Sequence, residues 1–513
     1  MFERALVGIF LFGLMVSVSG AESPRNLGTD RHVFIDRRMV DVLSNAELTV
    51  NPPDREELVL IADKPWESGG ITSYGNVLWD PEAKEYKLYY VPVSWDAEPG
   101  YCTALATSKD GIHWEKPNLG QVEWNGSKEN NIVVWAQREG TVAIDPSAPP
   151  DKRFALVSSA PEVGTQLFTS PDGIDFTLQE GQLSPHQSDS QISTFWDDRI
   201  GKWAHYFKVY EGEDGWHTDS KVEVSKSIPY PQEEPLGRSV ARVVTEKLSD
   251  PWKEPFLCVM SRDSRDPERM DLYTNAAIKY DRAPETYLAF PTPYYHYNEP
   301  ESRAYLNEPT LAIGGKRNDG VIETQLAVSR DGIDWTRYRT HYIPLHRYED
   351  LELKVLHVYP GIVREGDELV QYFAGYTFTH GDTQVRYKNL GRKLGGVFRV
   401  VQRLDGFVSV DFDYEGGIVI TDPFIFEGDT LTLNVNTSAA GEGRVEILKE
   451  DGSQNRGYTL EDCRIINGDY LDKVVTWGEG NSDVSKFAGK EIRLKFEFRG
   501  SKLYSFQFKK GEK

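Results

Sequence analysis

The sequence is poor in cysteine, with only Cys102, Cys258 and Cys463 among 513 residues. Because they are odd in number and widely spaced, they exclude a disulfide framework and a zinc-binding pattern, and at most one pair could bridge. The chain is long enough for two to four domains. We expect those domains to rely on buried hydrophobic cores rather than on cross-links.

Positive charge is also scarce, because 58 Lys and Arg face 80 Asp and Glu and leave a formal net charge of −22. A surface of this sign repels polyanions, so we expect no nucleic-acid partner. After the N-terminus the sequence has no apolar run long enough for a membrane helix, so we expect no membrane span in the mature chain.

Cofactor motifs are missing as well. The sequence has no phosphate-binding glycine loop and no alternation of strands with helices, so we expect no nucleotide cofactor. The His-Glu-x-x-His helix of zinc enzymes and the Gly-x-Ser-x-Gly elbow of serine hydrolases are also absent. No residue pattern predicts a metal site. A structural calcium ion would be compatible with a central channel, but it has no signature here.

Residues 1–21 have the pattern of a secretion signal. Arg4 supplies a positive charge, residues 5–18 form a short apolar stretch, and residues 19–21 are small, as signal cleavage requires. The alternative is a transmembrane anchor, which the short apolar stretch and the polar residues after it disfavour. We expect a secreted or periplasmic bacterial protein.

The strongest signal in the chain is a recurring turn. Residues 107–114, 169–176 and 328–335 share the order Ser-x-Asp-Gly-Ile-x-aromatic, and each follows an alternating apolar run. The Ser and Asp side chains can bind free amides of the turn, Gly can adopt a positive φ, and the aromatic ring can pack back between sheets. Residues 245–252 and 403–407 are decayed copies.

These five copies are spaced by roughly 60 to 85 residues, with short alternating strands and no helical period between them. The pattern predicts an all-β chain with a five-bladed β-propeller. An array of β-sandwiches with similar hairpins is the alternative.

The sequence pattern changes after Phe407. Residues 408–513 form short alternating strands with Gly-rich turns, which predict a C-terminal antiparallel β-sandwich. We therefore expect a signal peptide in residues 1–21, the propeller in residues 22–407 and the sandwich in residues 408–513. Residues 22–70 would form a strand and a loop that lead into the propeller.

The repeats resemble the five-bladed glycoside hydrolases, namely the invertase-like and fructanase-like family 32 and the arabinanase-like family 43. Family 32 also carries a C-terminal β-sandwich. Residues 34–36, 64–67 and 404–407 are similar to segments of a group of exported bacterial propeller–sandwich proteins. The resemblance covers nearly the whole chain. It implies the fold rather than the chemistry. In the named enzyme families, three carboxylates on the innermost strands converge at one mouth of the channel.

The sequence departs from these families in two motifs. The Asn-Asp-Pro nucleophile run is absent from the first-blade strand at residues 73–79, and the Glu-Cys acid motif is missing. Residues 265–267, Arg-Asp-Pro, imitate a third motif but stand just before the fourth blade. The chemistry of the families is therefore not carried over to individual residues.

Cleavage of a glycosidic bond needs a general acid and a base or nucleophile, which are usually two carboxyl groups. In a propeller these groups must come from the inner strands of different blades, and the sequence offers Asp189, Asp271 and Glu323. We predict Asp189 and Asp271 as base and orienting groups. We predict Glu323 as the acid, because its apolar neighbours favour a neutral carboxyl group.

Each acid also has a structural interpretation. Asp189 could cap a turn, Asp271 could pair with Arg269, and Glu323 could point to solvent on an alternating strand. A register slip of one residue would turn Glu323 away from the channel.

A sugar site also needs flat aromatic faces and a few hydrogen-bonding groups. The predicted substrate-binding residues are Trp216, His217, Tyr294, Tyr295, His296, His357, Tyr359 and His380. The alternative is that the aromatic residues pack between blades and that the histidines belong to the core.

Our leading hypothesis from the sequence is an exported glycoside hydrolase that acts on a poly- or oligosaccharide. The alternatives are a carbohydrate-binding propeller without catalysis, a sialidase-like enzyme and a protein-interaction scaffold. Sialidases resemble the chain in their Ser-x-Asp turns, but they need an arginine triad, and nothing marks Arg238, Arg242 and Arg262 as one. The missing first-blade Asp favours binding alone, and three acids on inner strands favour an enzyme.

Overall fold

The computed structural model describes residues 24–94, 96–98, 100–160, 163–188, 190–211, 224–226, 237–253, 255–267, 270–296, 320–380 and 390–511. Residues 210, 211, 224–226, 237 and 296 are described by their backbone alone. In these ranges the helical elements are short 3-10 turns at Pro65–Glu67, Pro150–Lys152, Gly391–Leu394 and Ser485–Phe487. No helix in the described residues has the length and hydropathy to cross a membrane. The all-β prediction is confirmed.

Antiparallel sheets of four strands follow one another along the chain, and we call them blades 1 to 5. Blade 1 consists of Gly70–Asp80, Glu85–Val93, Cys102–Ser108 and Ile132–Trp135. Blade 2 consists of Thr141–Ile144, Phe154–Ala160, Gly164–Ser170 and Thr177–Leu178. Blade 3 consists of Ser193–Asp197, Lys202–Glu211, Gly237–Thr245 and Phe256–Met260, with Val224–Lys226 paired in parallel to the last strand.

The first three strands of blade 4 are each interrupted. They comprise Met270–Leu272 with Ile278–Lys279, Tyr287–Ala289 with Pro293–His296, and Gly320–Ile322 with Thr324–Ser329, and the fourth strand is Trp335–Ile343. Blade 5 consists of Val355–Val358 with Val363–Glu365, Glu368–Tyr376, Gly395–Arg403 and, from the N-terminal part of the chain, Arg55–Leu60. A small hairpin, Arg347–Tyr348 and Leu351–Glu352, connects blades 4 and 5.

The five blades form a closed ring. The first strand of each of blades 1, 2 and 3 contacts the first strand of the next blade. Ile322 of blade 4 pairs with Val355 of blade 5, and the first strand of blade 5 contacts that of blade 1. Within the described residues, five sheets in a circle correspond to the five repeats of the sequence, which is the arrangement of a β-propeller.

The three Ser-x-Asp-Gly turns have the predicted chemistry. In the blade 4 copy, Ser329 Oγ accepts a hydrogen bond from the Gly332 amide at 2.9 Å. Asp331 Oδ1 accepts from the amides of residues 333 and 334 at 2.8 and 2.9 Å. The blade 1 and blade 2 copies repeat these contacts. In the decayed copy, Trp252 is buried and stacks on Phe207 with ring centroids 4.7 Å apart.

Each of these turns also makes a hydrogen bond to a neighbouring blade. The carbonyl oxygen of the turn glycine accepts a hydrogen bond from a tyrosine on the second strand of a neighbouring blade. Tyr372 OH donates to Gly111 O, Tyr89 OH to Gly173 O and Tyr206 OH to Gly332 O, at 2.8, 2.9 and 2.7 Å. One local motif therefore stabilises the turn and the contact between blades.

Two six-stranded sheets form the β-sandwich, and both include strands from the N-terminal part of the chain. One sheet contains Arg25–Asn26, Val40–Ser44, Gly417–Thr421, Phe424–Ile425, Glu442–Lys449 and Ile492–Arg499. The other contains Arg31–Val33, Ala46–Val50, Val408–Phe412, Thr430–Asn436, Asp469–Val474 and Ser501–Lys509. Phe34, Val419, Leu433, Phe496 and Phe506 belong to the core between these sheets.

The strand pairings differ from the predicted position of the N-terminal segment. Residues 22–70 were expected to lead into the propeller, but the strands between residues 25 and 50 pair with the sandwich, and only Arg55–Leu60 enters blade 5. Their partners lie more than 350 residues away in the sequence, where a local pattern carries no pairing information. The three cysteines are buried and unbridged.

Asp405 connects the propeller to the sandwich. It is fully buried and accepts hydrogen bonds from Arg31 of the sandwich and from Tyr280 and Arg282 of blade 4, at 3.1, 2.8 and 3.0 Å. Ser505 of the sandwich also donates to it at 2.8 Å. Burial alone would raise the pKa of Asp405, but Arg31 and Arg282 hold it below its ordinary value.

We predict that Gly332→Ala destabilises the protein more than Gly366→Ala. Both glycines have a positive φ, of +75° and +60°, so both variants carry the strain of a left-handed alanine, about 1–2 kcal/mol. A methyl group at Gly332 would lie 2.6 Å from the Tyr206 hydroxyl, whereas nothing lies within 4 Å at Gly366. We expect the overpacking to cost about 1–3 kcal/mol more, measured by urea unfolding. Equal losses in the two variants would contradict the prediction.

We predict that Asp405→Asn lowers the free energy of unfolding by about 3–5 kcal/mol at pH 7, because it leaves the buried Arg31 and the partly buried Arg282 without their carboxylate. Asn tolerates the φ of +60° at this position, so the backbone adds little strain. Since the folded protein lowers the pKa of Asp405, its contribution is complete above the ordinary pKa and is lost as the pH falls through the folded value. Urea unfolding at pH 7 and at acidic pH should show the difference between variant and wild type shrinking in acid. A constant difference would contradict this.

Candidate functional site

The first strands of the five blades surround a central channel. The C-terminal halves of all five line one cavity of about 620 Å³, so these strands run in the same direction. We call this opening the lower mouth and the opposite end, where the first strands begin, the upper mouth. Asp271, in the first strand segment of blade 4, therefore belongs to the upper mouth.

Gln191 lies across the channel between the two mouths. Its side chain, which precedes blade 3, donates through Nε2 to the carbonyl oxygen of Gly75 in blade 1, and its Oε1 accepts from the Gly75 amide at 3.5 Å. Blades 1 and 3 are not neighbours in the ring. Gly75 leaves no room for a side chain, because a Cβ there would lie 2.8 Å from the ring of Tyr359.

Asp271 is buried at the upper mouth in an ion pair. Its Oδ2 lies 2.9 Å from Nη1 of Arg238, which comes from the third strand of blade 3. The guanidinium of Arg238 also covers the rings of Tyr273 and Tyr294, with 4.9 and 5.5 Å between its Cζ and the two ring centroids. A carboxylate in an ion pair accepts hydrogen bonds, which suits a base, a nucleophile or a hydroxyl-binding group.

Tyr273, His380 and Tyr294 form a hydrogen-bonded cluster beside this ion pair. Nε2 of His380 lies 3.1 Å from the Tyr273 hydroxyl, and its Nδ1 lies 3.2 Å from the Tyr294 hydroxyl. The ring centroids of His380 lie 5.0 and 4.7 Å from those of the two tyrosines. The cluster therefore combines aromatic rings with polar groups, and Tyr294 within it is fully buried.

His357 lies next to this cluster in the first strand of blade 5. Its Nδ1 is 3.3 Å from Thr274 Oγ1, and its ring is 5.5 Å from that of Tyr273. Burial, with a smaller effect of His380, lowers the pKa of His357 to about 3, so the ring is neutral. Among the described residues, its buried Nε2 has no hydrogen-bond partner. Such an atom is costly unless a ligand or a water satisfies it.

Glu139 is a second carboxylate of the upper mouth, and sequence reasoning missed it. It precedes the first strand of blade 2 and is fully buried. Arg138 Nε donates to its Oε1 at 2.5 Å, and Ser159 Oγ donates to its Oε2 at 2.6 Å. An acid two residues before the apolar first strand Thr141–Ile144 was the signal that could have identified it.

A chain of contacts connects Glu139 with Asp271. Ser159, which binds Glu139, accepts from the Ser188 amide at 3.3 Å, and Ser188 Oγ accepts from the Lys208 amide at 3.3 Å. The ammonium group of Lys208 lies 5.4 Å from the ring centroid of Tyr273. Tyr273 is covered in turn by Arg238, the partner of Asp271. Blades 2, 3 and 4 thus contribute to one polar region.

The structure places Glu323 and Tyr295 away from this region. Glu323 Oε1 accepts from the Tyr295 hydroxyl at 3.0 Å and lies 2.8 Å from Nδ1 of His341. Tyr294 and Tyr295 are successive residues of one strand, so they point to opposite faces of blade 4. Asp271 pairs with Tyr294, whereas Glu323 binds Tyr295. Burial and Glu323 raise the pKa of Tyr295.

The other predicted residues divide into two groups. Tyr359 is buried where blades 5 and 1 meet, and its hydroxyl donates to Thr72 O at 3.3 Å. Asp189, Trp216 and His217 lie outside the described residues, and His296 is described by its backbone alone. The roles of these four residues stay predictions.

Arg242, considered for a sialidase-like site, and the Arg-Asp-Pro segment make other contacts in the structure. Arg242 lies 3.9 Å from Asp197 and so does not share the Asp271 partner of Arg238. Asp266 of the Arg-Asp-Pro segment pairs with Arg337 and Arg339 of blade 4. In the described part of the chain, no group of three or more His, Cys, Asp or Glu is close enough to hold a metal ion.

Comparisons with known proteins give distant similarity only. No protein-family profile and no curated protein matches the chain. Among solved structures, an endo-1,4-beta-xylanase from Bacteroides thetaiotaomicron is 15% identical, covers 60% of this chain and 85% of its own, and gives a TM-score of 0.36. An endo-arabinase from the same organism is 10% identical over 69% of this chain and 97% of its own, with a TM-score of 0.37.

A third structure has a different activity. An N-acetylgalactosamine deacetylase from F. plautii, in complex with blood group B trisaccharide, is 12% identical over 71% of this chain and 94% of its own, with a TM-score of 0.38. At such values the similarity carries no argument about function, and the fold is described from the strand pairings of this chain alone.

We predict that His357→Gln reduces the acid sensitivity of the fold. Because the folded-state pKa of about 3 lies below the ordinary value of 6.5, the folded protein holds this ring neutral while the unfolded chain takes up a proton. His357 therefore leaves the free energy of unfolding unaffected above pH 6.5 and lowers it as the pH decreases towards the folded-state pKa. Between pH 7 and pH 5, the free energy of unfolding of the wild type should fall by about 2 kcal/mol more than that of the variant, measured by urea unfolding. Equal losses would contradict a neutral His357.

Proposed function

We propose that the chain is a glycoside hydrolase whose active site is the upper mouth of the propeller. The observation that carries the proposal is the buried Asp271–Arg238 ion pair beside Tyr273, His380 and Tyr294. Sugar rings stack on aromatic faces, and their hydroxyl groups need paired polar partners. Among the described residues, the buried Nε2 of His357 has no hydrogen-bond partner, and a sugar hydroxyl or a water that reaches it would satisfy it.

In this proposal Asp271 is the base or the nucleophile, and Arg238 positions it. Glu139, also paired with an arginine, binds or orients the substrate from blade 2. The proposed acid is Asp189, because Glu323 binds Tyr295 on the other face of blade 4. Ser188 and Ser190, the chain neighbours of Asp189, contact Lys208 and Tyr273 respectively, which favours Asp189.

The substrate in the proposal is a poly- or oligosaccharide outside the cytoplasm. Export to the periplasm or the medium rests on the signal-like residues 1–21, which lie outside the described residues. A second candidate function is carbohydrate binding without hydrolysis. It is favoured by one observation, namely that both described carboxylates of the upper mouth are held by arginines and neither is arranged as an acid.

We predict that Asp271→Asn reduces hydrolysis about 10²–10⁴-fold, because the variant lacks the base or nucleophile. The measurement is sugar release from plant and algal polysaccharides and aryl glycosides, with the melting temperature as a folding control. Glu323→Gln is the matched variant, since it changes a buried carboxylate on the other face of the same blade.

The outcomes separate the candidates. We expect Asp189→Asn to lose activity and Glu323→Gln to retain it, and the reverse result would contradict Asp189 as the acid. Added formate or azide should restore part of the activity of Asp271→Ala if Asp271 acts on the sugar itself. Full activity in folded Asp271→Asn would overturn the proposal, and binding without turnover in wild type would support the second candidate.

A further inference from the structure

The lower mouth contains a well-defined cavity that lies outside the proposed active site. Its volume of about 620 Å³ lies within the range of ligand-binding sites, and it receives residues from the first strands of all five blades. Gln191 separates it from the upper mouth through its contact with Gly75.

Two tryptophans on this cavity are exposed to an extent that is unusual for large aromatic residues. Trp79 of blade 1 and Trp196 of blade 3 are 39% and 41% exposed, although both line the cavity. Each is supported from the adjacent strand by an aromatic partner, Tyr86 at 4.8 Å and Trp203 at 5.7 Å between ring centroids. The rings are therefore held in place while part of their surface faces the cavity.

The two tryptophans hold the same place in their blades. Trp79 pairs with Tyr86 and Trp196 with Trp203, each just before the buried aspartate that ends the first strand. Ile144 has the corresponding position in blade 2, where it pairs with Phe154. Blades 1, 2 and 3 thus place Trp79, Ile144 and Trp196 at matching positions, and the polar side chains of Asn76, Thr141 and Thr194 line the cavity beside them.

The charged residues of the lining come from blades 4 and 5, where they stand among apolar residues such as Ile278 and Val363. They are Asp281, Arg364 and Glu365. Arg364 Nε donates to Gly366 O at 2.9 Å, and Glu365 accepts from the Tyr86 hydroxyl at 2.8 Å, so both side chains are anchored. A purely apolar ligand would desolvate these charges without compensation.

From this arrangement we infer that the lower mouth is a second, non-catalytic binding site for a saccharide. The C–H face of a sugar ring stacks on Trp79 or Trp196, and its hydroxyl groups reach Asp281 and Arg364 across the cavity. The site would hold a glycan against the face of the propeller opposite to the proposed active site. The inference does not depend on hydrolysis at the upper mouth.

The test is binding of cellohexaose, xylohexaose, mannohexaose and arabinohexaose to full-length Asp271→Asn, measured by isothermal titration calorimetry. This background keeps hydrolysis from consuming the probes. We expect at least one probe to bind, and we expect Trp79→Ala and Trp196→Ala each to weaken the lower-mouth affinity about tenfold. Trp196→Phe should retain most of it. Tyr414→Ala, which removes a 65% exposed aromatic ring from the sandwich, is the matched control and should leave binding unchanged.

Each result decides one of the two proposals. Binding that the tryptophan variants leave unchanged, or no binding of any probe, overturns the second site, whatever the hydrolysis assays show. Binding lost in the tryptophan variants while wild type hydrolyses nothing supports the second site and overturns the proposed enzyme. A dimer in wild type that Trp79→Ala dissociates, without probe binding, would assign the cavity to a second copy of the chain and overturn the saccharide.

Discussion

Closure of the ring by an N-terminal strand is the constraint on which the rest of the structure depends. Arg55–Leu60 supplies the fourth strand of blade 5 by pairing with Gly395–Arg403, which joins the beginning of the propeller to its end. Without that pairing the third strand of blade 5 would be an open edge. The segment before it, between residues 25 and 50, pairs with the sandwich, so one stretch of chain fastens both halves of the molecule. The geometry of both mouths follows, because each mouth needs all five first strands in place.

A second recurring feature of the structure is the buried carboxylate that is paired with arginine. Asp405 lies between two arginines at the junction, and Glu139 and Asp271 each have an arginine at the upper mouth. The same physical requirement applies at both places, since a buried carboxylate needs a close cation and several hydrogen bonds. The surroundings differ. Asp405 is enclosed by two packed domains, whereas Asp271 adjoins aromatic rings and a histidine whose Nε2 is unpartnered among the described residues.

Local chemistry explains how much could be predicted from the sequence. The Ser-x-Asp-Gly turns act within a few residues, so three close copies and two decayed ones were enough to predict the blades. The N-terminal strands pair with strands that are far away in the sequence, so no pattern among neighbouring residues predicts these pairings. Glu323 failed to join Asp271 for a related reason: the ladder of its strand shifts register between Thr324 and Leu326, so simple alternation no longer gives the direction of side chains. Asp271, Tyr294, His357 and His380 were predicted because they lie on or beside regular strands.

Gln191 has a consequence for how a polymer could be handled. Its amide joins blade 3 to the backbone of blade 1 across the middle of the ring. The two blades that it joins are not neighbours, so this one side chain ties together parts of the ring that are not adjacent. Under the proposed function, a glycan chain that passed from one mouth to the other would first have to break this contact.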